Sequence, residues 1–313
     1  MSDAARAPHH VAGRSAPAAA ALVALSAASF GAMAIFARWA YASGVDLWGI
    51  LLPRFAIAAL VLALIAWGRG LPAPPRDRRL GLAAMGAAYV AQACCYFGAL
   101  LFIPAGLVAL LLYLFPLFVV LMARALGHEP LTGRRLLALA ICLTGTALAL
   151  GPGGWRTGAL DWRGVALGLG AAAIYSVYIV AGARVTRGIA PLAASAAIMR
   201  SGAVVVAVIV AVRLVAGWPV RFATDTAGWA AVGAAAIVST VVAVLAFFAG
   251  LARLGPSRTS VLSTLEPVVT VGLAALLLGE RLLPMQIAGG AMVLGGALLL
   301  ATEGASRAEP PAH

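Results

Sequence analysis

FAGLARLGPSRTSVLSTLEPVVTVGLAALLLGERLLPMQIAGGAMVLGGALLLA, residues Phe248 to Ala301, decides how this chain is built. Two long apolar runs flank a short polar break, Gly279-Glu280-Arg281. The first run holds Glu266-Pro267, a carboxylate with apolar sequence on both sides. Shifted back by 151 positions, the stretch falls without a gap on Phe97 to Leu150, with 14 of 54 positions identical. Phe97 meets Phe248, Pro116 meets Pro267, Glu129 meets Glu280 and Gly145 meets Gly296. In a chain this rich in Ala, Leu, Gly and Val, matched leucines say little. Matched Phe, Pro and Glu point to a duplication, and an internal repeat governs the fold before any local assignment does. The repeat extends forward. Phe30-Gly31 resembles Tyr175-Ser176, and Arg54 falls opposite Arg200 at an offset of 146, so a five-residue length change lies between the two registers.

Composition names the solvent. The chain is 63% hydrophobic and 10% charged, with a mean hydropathy of +1.03, where a soluble domain carries about 25% charged residues. Apolar stretches of about 20 residues recur along its length, which predicts a polytopic α-helical membrane protein. A transmembrane barrel would alternate polar and apolar residues, and these runs do not. The net charge of +12 is not a nucleic-acid footprint: all 22 basic residues are Arg, and nearly all fall in short loops between apolar runs. Cys94, Cys95 and Cys142 lie inside apolar runs, at spacings that suit neither a disulfide framework nor a metal site. They read as small packing residues. No metal or cofactor is expected.

Ten helical segments are predicted, at 17–37, 47–67, 80–101, 105–126, 136–150, 164–183, 191–212, 227–251, 259–278 and 283–301. Residues 1–16 read as a disordered cytoplasmic tail, 17–151 as a first repeat, 152–163 as an inter-repeat loop, 164–302 as a second repeat and 303–313 as a second cytoplasmic tail. The first apolar run lacks a convincing cleavage site and reads as an uncleaved helix. With the N-terminus inside, the inner segments carry 14 Arg and the outer ones 6, leaving Arg54 and Arg200 within helices. That bias predicts both termini in the cytoplasm. Trp39, Trp48, Trp67, Trp155, Trp162, Trp218 and Trp229 fall near segment ends, as interfacial anchors do. Five segments per half turn the second copy over relative to the first. Inverted repeats of this kind are the architecture of alternating-access carriers.

Two five-helix halves, an Arg early in the second and seventh segments, and Leu265-Glu266-Pro267 followed by Leu278-Gly279-Glu280-Arg281 resemble the EamA-type branch of the drug/metabolite transporter superfamily. The likeness covers about Leu22–Leu300. The first half departs from the pattern: it reads Leu126-Gly127-His128-Glu129, with one extra residue, and has Phe115 where the second half has Glu266. The resemblance implies export or import of small metabolites such as amino acids, through a central cavity lined by segments 1, 3, 4, 6, 8 and 9.

Several residues are candidates for a substrate or proton pathway. Glu266 would lie about 12 Å deep, eight residues into the ninth segment at 1.5 Å per residue. Ionisable groups at such depth are expensive and default to functional hypotheses. Glu266 could take a proton, bind a substrate amine, pair with Arg54 or Arg200, or organise the kink at Pro267. Arg54 and Arg200 could attract an anionic group or anchor a gate; the alternative is snorkelling to the interface. Pro116 and Pro267 should kink their helices as hinges. Gln92 and Tyr96 on the third segment, Tyr113 on the fourth, Tyr175 and Tyr178 on the sixth, and Ser239 and Thr240 on the eighth could line a cavity or act as polar glue between helices. Glu280, Arg281 and Glu129 read as helix caps or loop contacts. Gly289, Gly290, Gly295 and Gly296 read as packing positions.

A carrier is the leading reading: a secondary transporter, exporting by family resemblance, in the inner membrane, with a small-molecule substrate, protons and the lipid bilayer as partners. Its alternatives are a carrier for drug-, sugar- or nucleotide-type solutes, an uptake permease, or a channel or scaffold. An enzyme is disfavoured because His9, His10, His128 and His313 all lie in tails or a loop, and no predicted helix core holds paired Asp. No phosphate loop for a primary pump exists in the sequence. Nothing in the sequence indicates an oligomeric state.

Overall fold

Runs this apolar have no alternating face to offer a sheet, and in lipid only a helix satisfies its own backbone within one segment. The computed structural model describes residues 16–125, 132–149 and 160–306. Among the described residues every regular element is helical. In order they are α1 (Ala16–Gly31), α2 (Met33–Ala42), α3 (Leu47–Gly68), a short 3₁₀ turn (Arg76–Arg78), α4 (Arg79–Ala99), α5 (Ala105–Leu112), α6 (Phe115–Ala125) and α7 (Gly133–Ala149) in the first half. The second half has α8 (Trp162–Val185), α9 (Pro191–Val215), α10 (Thr226–Ala236), a π-turn (Ile237–Val242), α11 (Ala243–Ser263), α12 (Leu265–Leu278) and α13 (Pro284–Ser306). Eight stretches are long and apolar enough to cross a membrane. Two shorter apolar helices, Leu136–Ala149 and Pro284–Leu299, accompany them. Asp46, Asp161 and Asp225 begin α3, α8 and α10 as N-caps, each accepting a backbone N–H of the first turn.

Four of the expected segments are not straight. Pro116 and Pro267 have no N–H to give the carbonyls four residues earlier, Leu112 and Ser263. The chain breaks accordingly at Tyr113-Leu114, between α5 and α6, and at Thr264, between α11 and α12. The breaks occupy equivalent positions of the two repeats. Glu266 is therefore not eight residues into a continuous helix, as the sequence predicts, but in the first turn of a new one. There the helix N-terminus favours negative charge. The first segment breaks at Gly31-Ala32 and the eighth carries the π-turn, while their counterparts α8 and α4 are regular. Helical backbone also continues through Gly255-Pro256, where the sequence predicts a loop.

The halves are intertwined rather than side by side. α7 packs on α13, α1 on α11, α4 on α8 and α3 on α9, so each of these pairs draws one helix from each half. Exchanging the halves reproduces the same pairs. The α7–α13 crossing shows the exchange residue by residue. A Cβ on Gly289 would strike the Gly145 carbonyl, one on Gly296 would lie 3.0 Å from the Ala138 carbonyl, and Cys142 Sγ sits 3.7 Å from the Val293 carbonyl. Cys142 and Val293 are themselves equivalent, 151 positions apart. As numbering rises along α7 from Ala138 to Gly145, it falls along α13 from Gly296 to Gly289, so the pair is antiparallel.

Contacts between loops tie the ends of the bundle. Arg221 N–H and Gly49 N–H both donate to Asp46. Arg78 donates to the Arg184 carbonyl. Arg38 meets Glu280. Leu60, Leu64, Val204, Val208, Val212 and Leu276 are exposed on the outside of their helices, as a lipid-facing surface requires. Cys94, Cys95 and Cys142 are free thiols, buried or half-buried, as their sequence setting predicts.

Candidate functional site

Arg54 lies one residue past Pro53 in α3 and is 2% exposed. Its Nε donates to Thr240 Oγ1 at 3.1 Å and its Nη2 to the Tyr89 hydroxyl at 2.9 Å. The guanidinium carbon stands 5.3, 5.6 and 5.3 Å from the ring centroids of Phe55, Tyr89 and Phe97. The π-turn prepares the Thr240 contact. There the Thr240 hydroxyl donates to the Ala235 carbonyl at 2.9 Å, five residues back, which leaves its lone pairs for Arg54. Nη1 is buried and has no acceptor. Neither partner of Arg54 is an anion, so the charge is cushioned by aromatic faces and uncancelled.

Glu266 is half-buried at the start of α12 and shares no ion pair with Arg54 or Arg200. Its Oε2 lies 3.1 Å from the Tyr113 hydroxyl, and that hydroxyl lies 2.5 Å from the Ser263 carbonyl, the one Pro267 sets free. One hydroxyl has one proton. Given to Ser263, it leaves Glu266 facing an oxygen lone pair. A protonated Glu266 donates to Tyr113 instead, and both contacts are then satisfied. Behind the carboxylate, the Thr270 hydroxyl lies within 3.0 Å of the Gly31 carbonyl and 3.1 Å of the Glu266 carbonyl. Gly31 has to be glycine here. A Cβ at this position would stand 2.7 Å from the Glu266 carbonyl oxygen, so the first segment approaches the Glu266 turn only without a side chain.

A chain of rings runs between the two charges. Tyr113 packs on Phe115 at 5.8 Å, Phe115 on Tyr175 at 5.0 Å, Tyr175 on Tyr178 at 6.1 Å, and Tyr178 on Tyr89 at 5.7 Å. Tyr89 then holds Arg54. The arc draws on α4, α8 and the α5–α6 break, and so joins elements from both halves. The Ser176 hydroxyl on α8 lies beside the break, 3.0 Å from the Phe115 carbonyl and 2.7 Å from the Ala172 carbonyl of its own helix. The arrangement can hold a proton or a cation at one end, an anion at the other, and an apolar body between.

Of the residues singled out from sequence, Glu266, Tyr113, Tyr175, Tyr178 and Arg54 join this arc, and Pro116 and Pro267 create the two breaks beside it. Gln92 and Tyr96 are buried on α4, Tyr96 against Phe97 at 5.8 Å. Arg200 is not brought in: it is exposed on α9. Inverted pairing of the two arginines does not extend to their surroundings, because the π-turn that receives Arg54 has no counterpart in α4. Glu129 and His128 lie outside the described residues. Sequence reasoning passed over Tyr89, Phe115 as an arc member, and Thr270. Tyr89 had a signal: with Gln92 and Tyr96 it falls at i, i+3 and i+7, one face of a helix. No group of three or more His, Cys, Asp or Glu suited to a metal occurs among the described residues.

The model of the EamA-like transporter family matches this chain twice, over residues 17–151 and 162–302. The uncharacterized transporter YcbK of Bacillus subtilis (strain 168) is 26% identical over 270 residues, spanning 83% of this chain and 85% of its own. A solved crystal structure, described only as that of a protein, superimposes with a TM-score of 0.64 over 94% of this chain and 99% of its own. At 22% identity that likeness speaks to the fold.

Proposed function

Because the chain belongs to the EamA-like transporter family and is a multi-pass helical membrane protein, we propose that it is a secondary transporter that moves small metabolites by alternating access, exporting them across the cytoplasmic membrane. Amino acids and related compounds are the substrate class that family resemblance favours. The observation that carries the reading is the pair of charges without ionic partners, Glu266 and Arg54, joined by an aromatic arc between the halves. Lone ionisable groups among membrane helices mark substrate and proton pathways.

In this reading ten segments cross the bilayer as two inverted five-helix repeats. The antiparallel α7–α13 crossing supports it, since a two-fold that relates antiparallel helices is perpendicular to them and so lies in the membrane plane. The end contacts support it as well. A ten-span meander puts Arg38, Ala105, Glu280, Asp46 and Arg221 at one face and Arg78 and Arg184 at the other, and contacts form only within each set. The Arg bias makes the first face external and both termini cytoplasmic. Residues 1–16 and 303–313 are then cytoplasmic tails. Breaks at Gly31, Tyr113-Leu114 and Thr264 are the hinges about which the halves rock. Glu266 exchanges a proton with Tyr113 as witness, or receives a substrate amine.

The test is reconstitution of the full chain into proteoliposomes loaded with a metabolite mixture. Saturable efflux with counterflow of a labelled member is expected. Non-saturable leak for every solute would point to a channel, and an absence of flux for all of them would remove the transporter reading.

A further inference from the structure

We infer that Arg54 is the anion-binding end of the substrate site and that it takes a monoanionic carboxylate on a compact, apolar body. The inference rests on the transporter reading above and adds the chemistry of one subsite. A guanidinium keeps its charge under all conditions of interest. This one is 2% exposed, and both groups that accept its hydrogen bonds, Thr240 and Tyr89, are neutral. Each carboxylate whose side chain is described is engaged elsewhere: Asp46 on Gly49 and Arg221, Asp77 on Arg78, Asp161 on Arg163, Asp225 on Gly228, Glu266 on Tyr113 and Glu280 on Arg38. Among the described residues, then, a buried cation is held in place with no counter-charge beside it.

Nη1 of Arg54 is buried without a hydrogen-bond partner, and so is the hydroxyl of Ser239, the residue before Thr240 in the chain. Ser239 sits beside Thr240 in the π-turn and is 0% exposed. Buried groups of this kind are normally satisfied, and leaving one without a partner is costly, more so for a charged group. Single-turn π-bulges are frequent at functional sites. A planar carboxylate presents two oxygens to the guanidinium fork, the geometry Arg recognises best. One positive charge matches one negative charge. A phosphate dianion would bring a second charge into a wall built from Phe55, Tyr89 and Phe97, with nothing to receive it. The rings that continue from Tyr89 through Tyr178 and Tyr175 supply the surface for the apolar body.

The experiment compares acids with their own amides on the unmodified chain in proteoliposomes: 3-phenylpropionate against 3-phenylpropionamide, and L-phenylalanine against L-phenylalaninamide. Each is measured as inhibitor of the established flux and as a shift in melting temperature. Each acid is expected to act at least tenfold more strongly than its amide. In the melting-temperature shift, which needs no flux, Arg54→Gln should erase that preference, and Arg54→Lys should retain part of it. Equal action of acid and amide, or no action of either acid, overturns the carboxylate subsite. Saturable flux of other solutes in the same vesicles would leave the transporter reading intact in that case, whereas loss of all flux would strike the transporter reading itself.

Discussion

Glu280 and Arg38 lie 242 positions apart in the chain and 3.2 Å apart in space. The same carboxylate accepts the Ala105 N–H at 2.9 Å and the Gly106 N–H at 3.3 Å, capping α5, while Arg38 Nη1 donates to the Leu100 carbonyl at 2.9 Å. Gly279 makes the reach possible. It closes α12 in the left-handed conformation, at φ 65°, and turns the chain toward the first half. One acidic residue thus ties the ends of the first, fourth and ninth segments. Glu280→Ala should lower the melting temperature of the detergent-solubilised chain, with a loss of about 1–3 kcal/mol for the unmatched amides. It should also speed labelling of a cysteine introduced at Tyr41 by an impermeant reagent. Unchanged melting and labelling would mean that the tie holds nothing.

Glu266→Gln preserves the size and hydrogen-bonding reach of the side chain but cannot exchange a proton. Transport measured from pH 5 to pH 9 should lose its pH dependence, at normal expression. A mutant whose pH profile overlays that of the parent would exclude Glu266 as the proton carrier.

Tyr113→Phe removes the hydroxyl that lies within hydrogen-bond distance of both the Ser263 carbonyl and Glu266. The carbonyl that Pro267 freed would then be unmatched, at about 1–3 kcal/mol. Transport should fall at least tenfold while the rings stay stacked. A variant with parental stability and flux would show that the hydroxyl is incidental.

Gly31→Ala forces a methyl group to 2.7 Å from the Glu266 carbonyl oxygen. Overpacking of this type costs about 1–3 kcal/mol. The first segment should back away from α12, with loss of both stability and transport. Gly233→Ala, where a Cβ meets nothing within 4 Å, is the control and should behave as the parent.

The two arginines that look equivalent in sequence should separate in function. Arg54→Gln is expected to abolish flux and Arg200→Gln to retain most of it, since only Arg54 is held inside the arc. Equal losses in transport would restore the symmetric reading of the pair.

Much of the architecture could be read before any coordinates. The apolar runs announced helices, and the 151-residue offset found equivalent breaks at Pro116 and Pro267, because a missing N–H acts locally and is visible in the letters. Glu266 drew attention for the same kind of reason: a carboxylate stands out in apolar sequence. Tyr89 did not, because a tyrosine in a membrane helix serves packing as readily as binding, and only its contact with Arg54 separates the two roles. Thr270 and Gly31 were silent alone and acquired meaning from each other.

The sequence by itself determined the helices and their duplication, which follow from composition and register along one chain, and its motifs carry the family likeness. Tertiary structure decided which charges are solitary. Arg54 and Arg200 occupy matching letters, yet one is enclosed by rings beside a π-turn and the other is exposed. The energy of a charge among membrane helices depends on what surrounds it within a few ångströms, and those neighbours come from distant parts of the chain.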